Sequence, residues 1–139
     1  MGLTGSEIVI KTLVDQGVEV VFGYPGGAVL PLYDAIFKQN RIRHVLVRHE
    51  QAAVHMAEGY ARSTGKVGVV LVTSGPGATN LITGIACSWF DSVPVLHITG
   101  QVNTYEQQGF HKSTKKVRQV GFQETDIINM SKPITKFSY

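Results

Sequence analysis

Val67-Gly68-Val69-Val70-Leu71-Val72 is an unbroken apolar run rich in β-branched side chains, and it limits the fold more than any other segment. A strand that is apolar on both sides must be covered on both faces, as parallel sheets are by the helices that connect their strands. The flanking sequence alternates accordingly. Thr4 is placed to cap a helix over Gly5 to Gln16 that stops at Gly17. Glu19 to Phe22 reads as a strand, and the turn Gly23-Tyr24-Pro25-Gly26-Gly27 leads into a helix from about Val29 to Lys38. Arg43 to Val47 is a second strand, and the small and apolar positions from Glu50 to Arg62 describe a helix closed by Gly65. After the central run come a helix over Ala78 to Phe90 and a further buried strand over Pro94 to Thr99. The expected fold class is α/β, a three-layer, mainly parallel sheet with helices on both faces.

The remainder is more polar. Residues 100–122 exceed the usual length of a structureless connection and read as a functional loop or an insertion. Glu124 to Met130 predicts a short helix, and Pro133 to Ser138 the start of another strand. A chain of 139 residues ending on that segment is expected to be one domain, 1–139, truncated at its C-terminal side.

Composition narrows the class further. The chain is 43% hydrophobic, enough for a core without cross-links, and its one cysteine, Cys87, forms no internal disulfide. No run of about 18 apolar residues and no basic-then-apolar leader is present, so neither a membrane partner nor a signal peptide is expected, and a reducing cytoplasm fits best. The net charge of +3 is local: Lys112, Lys115, Lys116 and Arg118 lie close together without an acid between them, and elsewhere nine basic residues face ten acidic ones. One basic loop is not the stripe that nucleic acid requires, so no nucleic-acid partner is expected.

In parallel α/β sheets, ligands gather beyond the carboxyl ends of the strands. Three segments qualify: Tyr24-Pro25-Gly26-Gly27, His49-Glu50-Gln51 and Thr73 to Asn80. The glycines either let a ligand approach the backbone or only make tight turns. Glu50, at a strand-to-helix passage, either neutralises a helix N-terminus or serves as a carboxyl for proton transfer beside an apolar pocket. His49, Glu50 and His55 lack the spacing of a zinc motif, and no metal ligand is assigned. The Thr73 to Asn80 loop lacks a Walker lysine and the third glycine of a dinucleotide loop. Cys87 reads as a buried inert thiol and His97 as a satisfied core histidine.

Three motifs then act together. These are Phe22-Gly23-Tyr24-Pro25-Gly26-Gly27, Arg48-His49-Glu50-Gln51-Ala52-Ala53 with Met56 to Arg62, and Thr73-Ser74-Gly75-Pro76-Gly77-Ala78-Thr79-Asn80. In this order they closely resemble the N-terminal pyrimidine-binding domain of thiamine-diphosphate enzymes, and within them the large subunit of the acetolactate (acetohydroxyacid) synthases. Ile98 to Val102 and Phe122 to Asp126 extend the likeness. It implies the thiamine-diphosphate-binding fold, with Glu50 bonded to the aminopyrimidine ring and favouring the tautomer that removes the thiazolium C2 proton. The cofactor would then decarboxylate pyruvate and join the two-carbon unit to a second 2-keto acid, a transferase step of branched-chain amino acid biosynthesis.

The same resemblance places Tyr24, Pro25, Gly26 and Gly27 around the reactive end of the cofactor. It sets Thr73, Pro76 and Asn80 along the pyrimidine, and Gln123 at the site. Ser92 and Phe122 fall where such synthases approach FAD. Mg²⁺ and the diphosphate are implied on a separate domain, absent here together with a central FAD-type domain, so the fragment is expected to be inactive alone. Implied partners are a second full-length subunit in a homodimer or higher oligomer, whose diphosphate domain completes the site, and a small regulatory subunit. The link after Val102 differs, running through Asn103 to a basic stretch ending Arg118-Gln119-Val120-Gly121. That difference keeps open a related carboligase or decarboxylase of cell-surface sugar biosynthesis, or a non-catalytic module.

Overall fold

The protein is described by a computed structural model, in which residues 2–108 and 117–139 are placed. Four strands form one all-parallel sheet in the order β2-β1-β3-β4: β1 is Val20–Tyr24, β2 Arg43–Leu46, β3 Gly68–Val72 and β4 Val95–Thr99. The helices are α1 (Gly5–Asp15), α2 (Leu30–Phe37), α3 (Glu50–Thr64), α4 (Pro76–Thr79), α5 (Ile82–Phe90) and α6 (Ile127–Ser131), with short 3-10 turns at Gly27–Val29, Thr104–Glu106 and Lys132–Ile134.

Each residue of β3 is buried, and its side chains divide between two cores. Val69 and Leu71 pack with Ile10, Leu13 and Ile36 of α1 and α2. Val70 and Val72 pack with Val54 and Ala57 of α3 and Ile85 of α5 on the opposite face. This two-residue alternation makes the central run apolar throughout and yields the three expected layers. Local signals set the helix ends. Thr4 Oγ1 accepts from the Glu7 N–H at 3.3 Å while the Glu7 carboxylate accepts from the Thr4 N–H at 2.8 Å, a reciprocal cap. Gly17 and Gly65 take positive φ where α1 and α3 stop.

Several expectations are corrected. β1 runs two residues beyond Phe22, because Gly23 and Tyr24 pair with Leu71 and Val72. The helix expected over Ala78 to Phe90 is two helices, interrupted at Asn80 and Leu81, where Leu81 N–H donates to Ala78 O. β4 is only partly buried, since it has a neighbour on one side alone. Pro133 to Ser138 forms no strand: Pro133 sits in a 3-10 turn, and the Thr135 hydroxyl bonds to Ser131 O and Ser138 Oγ. Cys87 is half-buried rather than fully enclosed. Lys112, Lys115 and Lys116 lie outside the described residues, whereas Arg118 is placed and donates to Gln119 at 3.2 Å. Among the described residues no helix is long and apolar enough to cross a membrane.

His97 on β4 is not the satisfied core residue expected, for its Nε2 is buried without a hydrogen-bond partner among the described residues. Burial pushes its pKa down to about 4. An unfolded histidine takes a proton near pH 6.5, so stability should be constant above that pH and fall as pH drops towards 4, by on the order of 3 kcal/mol. Denaturant unfolding of His97→Leu at pH 7 and pH 4 checks this. The variant should lose most of that acid sensitivity, and an unchanged difference between the two pH values counts against His97 as its source.

Candidate functional site

The chain leaves β1 in one direction to form β2 and returns over β1 to form β3 on the other side. The carboxyl ends of β1 and β3 therefore flank a topological switch point, where the following loops diverge and leave a crevice. The end of β1 presents Tyr24 and the loop after it Pro25, both exposed, and then Gly26. The loop after β3 presents Thr73, Ser74 and Gly75 before Pro76 opens α4.

These two loops touch. A Cβ added to Gly26 would lie 2.5–2.7 Å from three atoms of the Thr73 side chain, and one added to Gly77 would lie 2.7 Å from Thr73 Cγ2. Both glycines stand where any side chain would overlap Thr73, so packing within the chain itself requires them. Gly27, by contrast, has nothing within 4 Å of an added Cβ and belongs to the 3-10 turn that starts α2.

Glu50 enters the crevice from a third element. It is the first residue of α3, after His49, whose Nδ1 accepts from the Gln51 N–H at 3.1 Å and caps the helix. Glu50 Oε2 accepts from Asn80 Nδ2 at 2.8 Å, and Oε1 lies 3.4 Å from the position of a Cβ on Gly77. The side chain is half-buried. In the first turn of α3 the carboxyl is placed to neutralise the helix N-terminus, and its Oε1 faces Gly77. Asn80 itself lies in the break between α4 and α5.

Gln123 meets the Thr73 to Asn80 loop from the C-terminal side, at Gly75. It has a positive φ of 61°, and a Cβ on Gly75 would sit 2.6 Å from its Cβ and 2.8 Å from its carbonyl oxygen. Phe122 beside it is 83% exposed. The end of β4 joins the same region, as a Cβ on Gly100 would meet Ala28 Cβ at 2.8 Å and Ser74 N at 3.1 Å. The structure thus groups Tyr24, Pro25, Gly26, Glu50, Thr73, Pro76, Asn80 and Gln123 about one end of the sheet. Ser92 stands apart: it follows α5 and precedes β4, so it lies at the amino end of a strand whose carboxyl end faces the crevice.

Glu124 was not among the expected site residues. Its carboxylate accepts from the Gln108 N–H at 2.6 Å and the Val120 N–H at 3.0 Å, joining the two ends of the long polar connection. The available signal was an acid immediately after Gln123 at the close of an overlong loop.

Residues 3–130 match the family described as "Thiamine pyrophosphate enzyme, N-terminal TPP binding domain". Among curated proteins, the chain is 55% identical over 137 residues to the acetolactate synthase large subunit of Buchnera aphidicola (Schizaphis graminum strain Sg), and 56% identical over 137 residues to the acetolactate synthase isozyme 3 large subunit of Escherichia coli K12. It is 54% identical over 136 residues to the acetolactate synthase large subunit of Lactococcus lactis. These alignments take in 98–99% of this chain but 22% of each relative, so the chain spans about a fifth of their length. With the match running from the first helix through α6, the chain belongs to the family of N-terminal TPP binding domains of thiamine pyrophosphate enzymes.

Proposed function

We propose that this chain is the pyrimidine-binding part of a thiamine-diphosphate-dependent acetolactate synthase that decarboxylates pyruvate and joins the two-carbon unit to a second 2-keto acid. The observation that carries the reading is the Glu50 carboxyl, held through one oxygen by Asn80 and with the other 3.4 Å from where a Cβ on Gly77 would lie, beside loops in which Gly26 and Gly77 pack on Thr73. The identities of 54–56% to acetolactate synthases support the choice of reaction.

The residues present fit an aminopyrimidine ring. Such a ring is flat, needs close backbone approach on its face, and carries a nitrogen that pairs with a carboxyl. Gly26, Gly77 and Thr73 would supply the wall, Glu50 the carboxyl, and Tyr24, Pro25 and Gln123 the rim of the crevice. Thiamine diphosphate, when bound, supplies the nucleophilic carbon and takes up the electrons released by decarboxylation. The protein's part is proton placement. Asn80 donates to Oε2 and fixes the carboxyl plane, which leaves Oε1 to hold or share a proton with a ring nitrogen. The apolar cores beneath the loops keep these positions rigid.

Mg²⁺ and the diphosphate are assigned to another part of the whole protein, as the likeness to acetolactate synthases implies. FAD beside exposed Ser92 and Phe122, a homodimer or higher oligomer completing the site, a small regulatory subunit and a cytoplasmic location belong to the same proposal. The test is an assay of the whole protein with pyruvate, thiamine diphosphate, Mg²⁺ and FAD. Acetolactate should form, in amounts that depend on thiamine diphosphate. No acetolactate, or a product made only with a sugar acceptor, overturns the choice of reaction.

A further inference from the structure

We propose that Glu124 is a positioning residue that sets Gln123 over the crevice by tying together the two ends of the 108–120 connection. The inference rests on the functional reading above only for the reaction it would affect. Its geometry is independent of that reading.

Each oxygen of the Glu124 carboxylate accepts from one backbone amide: Oε1 from Gln108 at 2.6 Å and Oε2 from Val120 at 3.0 Å. A carboxylate is suited to this because both oxygens accept, and bonds from N–H to a charged acceptor are among the stronger ones. The Glu124 N–H itself donates to Gly121 O at 3.1 Å, and Gln119 Nε2 donates to the same oxygen at 2.7 Å. Gly121 is buried, with Glu106 Cβ and Val102 Cβ 2.9 and 3.0 Å from where its own Cβ would be. Gln101 Nε2 donates to Thr125 O at 2.8 Å on the other side. Residues 121–125 are thus pinned at both ends, with Glu124 as the charged brace.

Gln123 needs that brace. Its φ of 61° is one that non-glycine residues seldom adopt, and such a backbone persists only where its surroundings impose it. On one side it presses on Gly75. On the other its chain neighbour Glu124 is anchored to the amides of Gln108 and Val120. Without the carboxylate, Gln123 can relax to negative φ and leave Gly75.

The experiment uses the whole protein with Glu124→Ala, Glu124→Gln, Gln123→Ala and the Gln123→Ala/Glu124→Ala pair. Amide hydrogen exchange is read at Gln108, Val120 and Gly75. In Glu124→Ala it should quicken at least about tenfold at all three. Glu124→Gln keeps one acceptor oxygen, so one of the Gln108 and Val120 amides should keep its protection. With pyruvate, Glu124→Ala and Gln123→Ala should each lower kcat/KM about tenfold, and the pair should be no more than about twofold worse than Gln123→Ala, because the two act as one unit. Unchanged exchange at Gly75 in Glu124→Ala overturns the proposal, as does a pair whose losses multiply. If Glu124→Ala fails to fold, exchange in Glu124→Gln decides by the same criterion. A wild-type protein that ignores pyruvate sinks the proposed reaction, while exchange at Gly75 still decides whether Glu124 holds Gln123 in place.

Discussion

Glu50→Gln in the whole enzyme is expected to slow exchange of the C2 proton of bound thiamine diphosphate by about 10²–10⁴-fold, the usual contribution of a positioned acid or base. The substitution is close to isosteric, and the amide oxygen can still accept from Asn80 Nδ2, so the 2.8 Å bond and the orientation of the side chain survive. What disappears is the ability to hold a proton at the crevice-facing atom. Binding of the cofactor should therefore weaken far less than exchange, by about tenfold or less if one charged hydrogen bond becomes a neutral one. Asn80→Ala tests the same geometry from the other side. It leaves the carboxyl but frees its rotation, so a loss smaller than that of Glu50→Gln is expected. Nuclear magnetic resonance of C2 deuterium exchange measures both. Exchange near the wild-type rate in Glu50→Gln would remove Glu50 from the chemistry and leave it the role of neutralising the N-terminus of α3.

That test depends on a contact the sequence reading only half reached. The alternation of Val69 and Leu71 against Val70 and Val72 was legible, because an all-apolar β-branched run has one economical solution, a strand covered on both faces. The stops at Gly17 and Gly65 were legible for a similar reason, since a glycine after a helical period supplies a left-handed cap. The break at Asn80 was not. Small and apolar residues continue through Ala78, Leu81, Ile82 and Ile85 as in a single helix, and the bond from Asn80 to Glu50, thirty positions away, has no local signature. The exposure of β4 was hidden too, because Val95–Thr99 has the composition of an inner strand, and its place at the edge is a property of strand order. The positive φ of Gln123 likewise has no local signature. It follows from the Gly75 contact and the anchoring of residues 121–125.

Gly75→Ala and Gly59→Ala make the same chemical change and should move stability in opposite directions. Gly75 has φ 60° and ψ −126°, a region populated almost wholly by glycine, so a methyl group there costs about 1–3 kcal/mol in backbone strain alone. Its Cβ would also meet Gln123 Cβ at 2.6 Å and Gln123 O at 2.8 Å, and a carbonyl oxygen cannot step aside as a side-chain tip can. Overpacking of this kind adds about 1–3 kcal/mol, for an expected total near 3–5 kcal/mol. Gly59 lies inside α3, is exposed, and has nothing within 4 Å of an added Cβ. Alanine there should raise stability by about 0.5–1 kcal/mol through helix propensity. Denaturant unfolding of the two variants gives the comparison directly. Gly75→Ala should also lose affinity for thiamine diphosphate, since relief of the overlap pushes Gln123 and the Thr73–Asn80 loop apart at the mouth of the crevice. A Gly75→Ala protein of wild-type stability would mean that Gln123 does not rest on Gly75.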